Sequence, residues 1–283
     1  MLSLHTNNAS LSAQNSISKT QSQLSTSMTR LSTGYRINSA MDDAAGLQIA
    51  TRLKAQTSGM TVAMSNTQNS TSLLQTAEGA FAEVTNMLVR MKDLATQAAD
   101  ASSNTADKDA MQAEYDALGL ELANVMNNST FGGQKLLTGG TIASAMTFQI
   151  GAAQSETMTI NLGTSMTSVA TALGSATANF AGTAGGTELK TLANTAIGSL
   201  ISAIDSISTV RSALGAAANR LDHVNSNLSN IATNTKAATG RIMDVDFATE
   251  SSNMTSSQML LQAGTAMLKQ SNSMSSMVMS LLQ

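Results

Sequence analysis

Apolar residues recur every seven positions along much of the chain. One set runs Leu53, Met60, Thr67, Leu74, Phe81, Leu88 and Ala95; its companion runs Ile49, Gln56, Ala63, Ser70, Ala77, Val84, Met91 and Ala98. This alternating spacing of four and three keeps one stripe of a helix facing a partner helix. At 1.5 Å per residue it predicts a helix of about 75 Å from 49 to 98, which implies a rod. Met111, Tyr115, Leu118, Leu122 and Val125 repeat the spacing over a shorter helix. A third long helix is marked by Leu200, Ile207, Leu214, Leu221 and Leu228, with Ile197, Ile204, Arg211, Ala218, Asn225 and Ala232 at the other core position. Arg211 and Asn225 on that side are expected to fix the register between helices, because a polar residue in an apolar seam disfavours alternative pairings.

Both ends are amphipathic. Ile17, Leu24, Met28, Leu31 and Tyr35 share a stripe near the start, with Leu4 and Leu11 slightly out of phase. Near the end, Leu260, Met267, Met274 and Leu281 stand seven apart, with Ala263, Gln270 and Met277 between them. Leu24, Leu31, Leu260, Met267, Met274 and Leu281 are the candidate residues for pairing of the two ends and for packing between subunits. The surrounding faces are Ser-, Thr- and Asn-rich, and isolated helices of this kind are marginal in water. Both ends are therefore expected to order on assembly.

Between the second and third long helices the pattern changes. "NNSTFGGQKLLTGG" (127–140) breaks it with Asn and Gly. "MTFQIGAAQSETMTINLG" alternates at Phe148 and Ile150 and again at Met158, Ile160 and Leu162, which predicts a β-hairpin turning near 151–156. "GSATANFAGTAGGTE" reads as a surface loop. The fold class expected is mainly α: a long antiparallel helical bundle or coiled-coil rod, a small β-hairpin region and paired terminal helices.

Composition supports long uninterrupted helices and narrows the chemistry. The 283 residues include no Pro, Trp or Cys, 19 Met and 2% aromatics. Without Pro nothing forces a break in a helix, and without Cys there is no disulfide or thiolate metal site. A net charge of −3 with 12% charged residues gives no basic excess for nucleic acid or an anionic membrane. No run approaches the roughly 18 apolar residues of a membrane-spanning helix, and the opening "MLSLHTNNASLSAQ" lacks the basic and apolar regions of a cleaved signal peptide.

The segment "LSTGYRINSAMDDAAGLQIA" (31–50) places Asp42 and Asp43 side by side between two helical patterns. Catalytic carboxylates must converge across a cleft, whereas neighbours on a helix point about 100° apart. We read this segment as a joint: Gly34 ends the first helix, "Ser39-Ala-Met-Asp42" forms a capping box for the next, and Asp42 and Asp43 suit the positive end of its dipole. Arg36 and Asn38 would set the angle, with Tyr35 packed at the boundary. The acids of "DVDFATE" (244–250) lack the glycine and terminal glutamate spacing of a calcium loop. Neither His5 nor His223 has metal-ligand spacing, no HExxH, Walker loop or GxSxG occurs, and Met at helical spacing over 259–279 reads as a pliable seam rather than a copper site. No catalytic, cofactor-binding or metal residue is expected.

At this point "RLSTGYRINSAMDDAAGLQIA" (30–50) resembles the N-terminal signature of bacterial flagellin. "GRIMDVDFATESSNM" (240–254) with "LLQAGTAMLKQSNSMSSMVMSLLQ" resembles the C-terminal one, and "SALGAAANRLDHVNSNLSN" (212–230) resembles the long C-terminal helix of the flagellin rod. The opening "MLSLHTN" and the Met content resemble the lateral-flagellum subtype. The resemblance implies an inner-tube domain from 1–44 and 239–283, a rod domain from 45–140 and 188–238, and a short variable region at 141–187, with large outer domains missing. It implies a secreted, non-enzymatic subunit of the extracellular filament used for motility. Its partners would be copies of itself, an export chaperone, the filament cap and hook–filament junction proteins, with no nucleic acid and no membrane insertion. "LVRMKDLATQ" (88–97) is similar to the patch through which flagellins are recognised by a Toll-like receptor: Arg90, Leu94, Gln97 and Glu114 match, while Met91, Lys92 and Asp93 depart. Read from the helical pattern, Arg90, Leu94 and Gln97 lie off the seam, with Leu94 an exposed anchor. The hook–filament junction protein is the alternative reading, and a flagellin carrying a grafted protease is disfavoured by the short insert and the missing HExxH.

Overall fold

The computed structural model describes residues 7–180 and 186–281, with side chains described as far as residue 274. The chain divides into two units, one built from 1–57 and 233–283 and the other from 58–232.

Three long helices dominate the larger unit: α2 (Ala44–Ala98), of which 58–98 belong here, α3 (Thr105–Asn128) and α6 (Ala193–Met243), of which 193–232 belong here. Nothing in α2 interrupts the backbone ladder, since Pro is absent. Its many Ser and Thr hydroxyls donate to the carbonyl four residues back, as from Thr67 to Ala63 and Thr85 to Phe81, so the polar positions are satisfied within the helix even where they are buried. Met60, Ala63, Thr67, Ser70, Leu74, Ala77, Phe81, Val84, Leu88, Met91, Ala95 and Ala98 are all buried, an unbroken four-three seam. The register expected from residue 49 fails at its start: Ile49 and Gln56 are exposed and Ala50 is buried instead.

Helix α6 runs antiparallel to α2, as paired contacts along it require. Arg211 donates through Nε and Nη2 to Glu78 Oε1 at 3.1 and 2.7 Å, and Asn225 Nδ2 donates to the Met64 carbonyl at 3.4 Å. Further along, Met60 and Ala63 pack with Leu228 and Ala232. The set Leu200, Ile207, Leu214, Leu221 and Leu228 is buried as expected. The second core position is shifted by one residue: Ala196, Ala203, Val210 and Ala217 are buried, and Ile197, Ile204, Arg211, Ala218 and Asn225 are half-buried flanks.

Helix α3 starts on a capping box, in which Asn104 and Asp107 exchange side-chain and backbone bonds. Its buried face is Gln112, Tyr115, Gly119, Leu122 and Met126, so Met111, Leu118 and Val125 flank the seam. The 127–140 break contains a small hairpin, β1 (Thr130–Phe131) with β2 (Gln134–Lys135), turned by Gly132 and Gly133 at positive φ. The expected hairpin is present as β3 (Ala145–Gln149) and β4 (Thr157–Asn161), with Gln149 opposite Thr157.

The surface-loop expectation for 174–188 is corrected in its described part, and the stretch before it, for which the sequence named no element, is helical. Residues 163–176 form α4 (Gly163–Ala176), whose Met166, Val169, Leu173 and Ala176 join the core. Thr177 and Asn179 are buried, and polar contacts hold this stretch to α3. Gln112 donates to Glu188 Oε2 and accepts from the Leu189 N–H, while Asn179 Nδ2 donates to Asp116 Oδ1. Leu189 in α5 (Glu188–Thr191) is fully buried. Burial also pushes the Tyr115 hydroxyl far above its ordinary value, and it donates to the Ala176 carbonyl. Residues 181–185 of the same loop lie outside the described residues.

Candidate functional site

The smaller unit holds α1 (Asn8–Thr33), the joint and α7 (Phe247–Leu281). Helix α1 starts on Asn7, whose side chain accepts from the Ser10 N–H, and ends at Gly34 with φ 75°. That left-handed conformation is one a Cβ resists, so the expectation for Gly34 holds. Helix α7 starts at Asp246, whose carboxylate accepts from the Ala248 and Thr249 N–H groups and the Thr249 hydroxyl. The "DVDFATE" acids therefore include a helix cap.

Helices α1 and α7 lie antiparallel and meet on a four-three seam. Asn7 Nδ2 donates to the Ser271 carbonyl at 3.3 Å, a Cβ on Gly264 would stand 2.9 Å from Ile17 Cγ1, and Arg30 pairs with Glu250 at 3.7 Å. Ile17, Thr20, Leu24, Ser27 and Leu31 on α1 and Glu250, Met254, Ser257, Leu261, Gly264, Leu268 and Ser271 on α7 are buried or half-buried. Half of that seam is small or polar. The large apolar residues of α7 lie elsewhere: Leu260 is 59% exposed, Met267 68% and Met274 58%. Sequence alone put Leu24, Leu31, Leu260, Met267 and Met274 together, and the fold divides them. Leu24 and Leu31 face α7, whereas the other three face away from α1. Met28 and Tyr35 are also exposed. The side chain of Leu281 lies outside the described residues, as do Leu4 and His5.

The joint is tied to the turn between α6 and α7. The Arg36 N–H donates to the Met243 carbonyl at 2.6 Å, the Val245 N–H to the Gly34 carbonyl at 3.0 Å, and Arg36 Nη2 to the Ile242 carbonyl at 3.0 Å. Asn38 Nδ2 donates to the Tyr35 carbonyl at 2.8 Å. The capping box expected at Ser39 is corrected. Asp42 Oδ2 accepts from the N–H groups of Asn38 and Ser39 and from the Ser39 hydroxyl, closing a turn ahead of the helix. The N-cap of α2 is Asp43, whose Oδ1 accepts from the Gly46 N–H at 2.9 Å. An aspartate directly before the helix competes better for that role than a serine four residues away. Asp43→Ala should cost about 1 kcal/mol of unfolding free energy, read from the denaturation midpoint, with Asp43→Asn retaining most of it.

Two residues at this site escaped the sequence reading. Ile37 is 2% exposed and packs beside Gly46, where a Cβ would come within 2.8 Å of Ile37 Cδ1. Its only signal was a single apolar residue inside a polar stretch. Glu250 is buried on the α1 seam against Arg30, signalled by one acid on an otherwise uncharged stripe.

Donors hold two acids low. The backbone N–H groups of Ser39 and then Asn38 keep Asp42 below the ordinary 3.8, and the Thr249 hydroxyl and N–H do the same for Asp246. A carboxylate depressed on folding stabilises above its unfolded value, and that contribution is lost as pH falls through the folded value. Protection of the Asn38, Ser39, Ala248 and Thr249 amides, taken relative to their intrinsic exchange rates, should therefore fall as pH drops below about 4. A joint equally protected at about pH 3 would contradict the assignment.

Among the described residues no group of three or more His, Cys, Asp or Glu side chains could hold a metal ion, and no described helix is long and apolar enough to cross a membrane. His223 is exposed on α6. On the larger unit, Arg90 and Glu114 join α2 to α3 in an ion pair at 2.6 Å, and Gln97 is exposed. The expectation of an exposed Leu94 fails: it is 2% exposed. A helix packed against two others buries a wider face than a two-helix seam.

A family profile described as the bacterial flagellin N-terminal helical region matches residues 4–142, and one described as the C-terminal helical region matches 197–282. The chain belongs to the bacterial flagellin family. The flagellin A of Vibrio anguillarum is 32% identical over the full length of both chains, in an alignment of 379 positions against the 283 residues here, so that flagellin is the longer and this one lacks segments it carries. B-type flagellin of Pseudomonas aeruginosa is 47% identical over 156 residues, and polar flagellin F of Vibrio parahaemolyticus is 48% identical over 155. The matched part spans 55% of this chain in each case, but only 32% and 41% of those two relatives. Among solved structures, one assigned to a flagellar hook-associated protein of Vibrio parahaemolyticus superposes with a TM-score of 0.55 over 72% of this chain and all of that one, at 16% identity. At that identity the likeness is one of fold.

Proposed function

We propose that this chain is a structural subunit that polymerises into the extracellular helical flagellar filament for motility and catalyses no reaction. The observation that carries this is the stripe of Leu260, Met267 and Met274, seven apart and turned away from α1. Large apolar residues repeated along one helix face and left in water favour burial against another molecule. A contact between unlike surfaces of identical subunits propagates a filament when its rotation does not close into a ring. The half-polar seam between α1 and α7 supports the further reading that residues 1–44 and 239–283 become stably ordered only when neighbours cover that stripe. Residues 45–140 and 188–238 would then be the rod domain, with 141–187 its short variable part.

As a filament subunit the chain would meet an export chaperone, the filament cap and hook–filament junction proteins. Recognition by a Toll-like receptor would use the exposed Arg90, Gln97 and Glu114, with Leu94 holding the helix beneath them. The fold likeness to a hook-associated protein favours one second reading, a junction protein that caps or joins. Purified chain added to preformed filament seeds separates the two: long filaments support the subunit, and oligomers that stop growing support the junction protein.

A further inference from the structure

The chain has no Cys and 19 Met, so the methionine thioether is its only oxidisable sulfur, and the fold grades these thioethers from buried through half-buried to exposed. Met60, Met87, Met91, Met126, Met146, Met158 and Met166 are buried in the larger unit. Met28 on α1 and Met41 in the joint are exposed singly, whereas Met259, Met267 and Met274 stand 61%, 68% and 58% exposed together on α7. All three flank or continue the stripe headed by Leu260, spaced so that one helix face carries them.

We propose that Met259, Met267 and Met274 form a reversible oxidation site that switches the outward face of α7 from apolar to polar before a neighbouring subunit covers it. The oxidant is a peroxide. The thioether sulfur attacks one peroxide oxygen, the O–O bond breaks, a sulfur–oxygen bond forms, and water leaves; the sulfur loses two electrons and the peroxide gains them. The product is a polar, chiral sulfoxide in place of a flexible apolar side chain. Exposure decides which sulfurs react, because oxidation needs access. Burying a sulfoxide without a hydrogen-bond partner is unfavourable, so a face carrying three of them no longer suits an apolar contact. A reductase that takes the sulfoxide oxygen off as water, with two thiols oxidised to one disulfide, restores the face. Once subunits pack over α7 the same sulfurs become inaccessible, so the switch acts on free subunits only.

The effect on growth rests on the filament reading; the selectivity of oxidation does not. The full chain, dilute and monomeric, is treated with hydrogen peroxide and mapped by peptide mass spectrometry. Met259, Met267 and Met274 should oxidise roughly tenfold or more ahead of the seven buried methionines, and treated protein should lose elongation on seeds and regain it after methionine sulfoxide reductase and thiol. Equal rates at exposed and buried sites, or seeded growth that survives full oxidation of the three, would overturn the proposal. The variant M259L/M267L/M274L is compared only with itself, before and after peroxide. Sensitivity equal to that of the unsubstituted chain would move the effect to Met28 or Met41 and sink the assignment to α7. Untreated chain that never elongates seeds refutes the filament reading, and the site-resolved rates then decide the oxidation site alone.

Discussion

Leu260→Asp with Met267→Asp is expected to abolish elongation on seeds while leaving the unfolding of the single chain almost unchanged. Both side chains are more than half exposed, and substitutions at such positions typically shift stability by no more than about 0.5 kcal/mol. Next to a neighbouring subunit the same two carboxylates would lose their water. An unpaired buried charge costs several kcal/mol even after relaxation, and each 1.4 kcal/mol is about a tenfold change in a binding constant. Two such charges should therefore remove any detectable growth. Circular dichroism and thermal unfolding of the variant check the first half, and seeded growth followed by electron microscopy checks the second. Filaments of ordinary length from this variant would mean that the outward face of α7 is not covered in the assembly. A neutral pair at the same places, Leu260→Met with Met267→Leu, should keep growing, which separates charge from mere change of shape.

The second large effect concerns the core. Phe81→Ala should destabilise the larger unit by about 3–5 kcal/mol, the range for removing a buried aromatic ring. Phe81 is fully buried among the apolar side chains of the three-helix core. Its ring is one of few aromatic groups in a chain with five Phe, two Tyr and no Trp. Val89→Ala, about two turns further on and exposed, should change stability by less than about 0.5 kcal/mol. Urea unfolding of both variants, with the slope compared as well as the midpoint, is the measurement. Equal losses would mean that the core is not where the structure places it.

The seam of α2 from Met60 to Ala98 was readable residue by residue, since a long helix against a long helix repeats one geometric demand. The second seam of α6 was not. Reading by hydrophobicity selects Ile197 and Ile204, yet Ala196 and Ala203 occupy the buried positions, because close approach of two helices at the centre of a contact favours small side chains and sends large ones to its flanks. Leu94 was missed because α2 faces two partners, and a one-stripe reading has no place for the second. Helix α4 was hidden by its composition of Thr, Ser, Ala and Gly, where only Met166, Val169 and Leu173 carry the spacing.

The division at the candidate interface follows the same logic. Along α7 the sets Leu260, Met267, Met274 and Met254, Leu261, Leu268 are both apolar at seven-residue spacing, so periodicity cannot choose between them. Chain order alone does establish that the ends are helical and that a glycine-ended joint separates the first of them from the long helix that follows. Which of the two apolar faces α1 covers is a question of pairing between segments some 240 positions apart, settled by where Arg30 meets Glu250 and where Gly264 lets Ile17 approach. Local sequence sets the period of a helix through its own backbone geometry; only the partner across the seam sets its phase, because phase has no energy until a second surface is there to be buried against it.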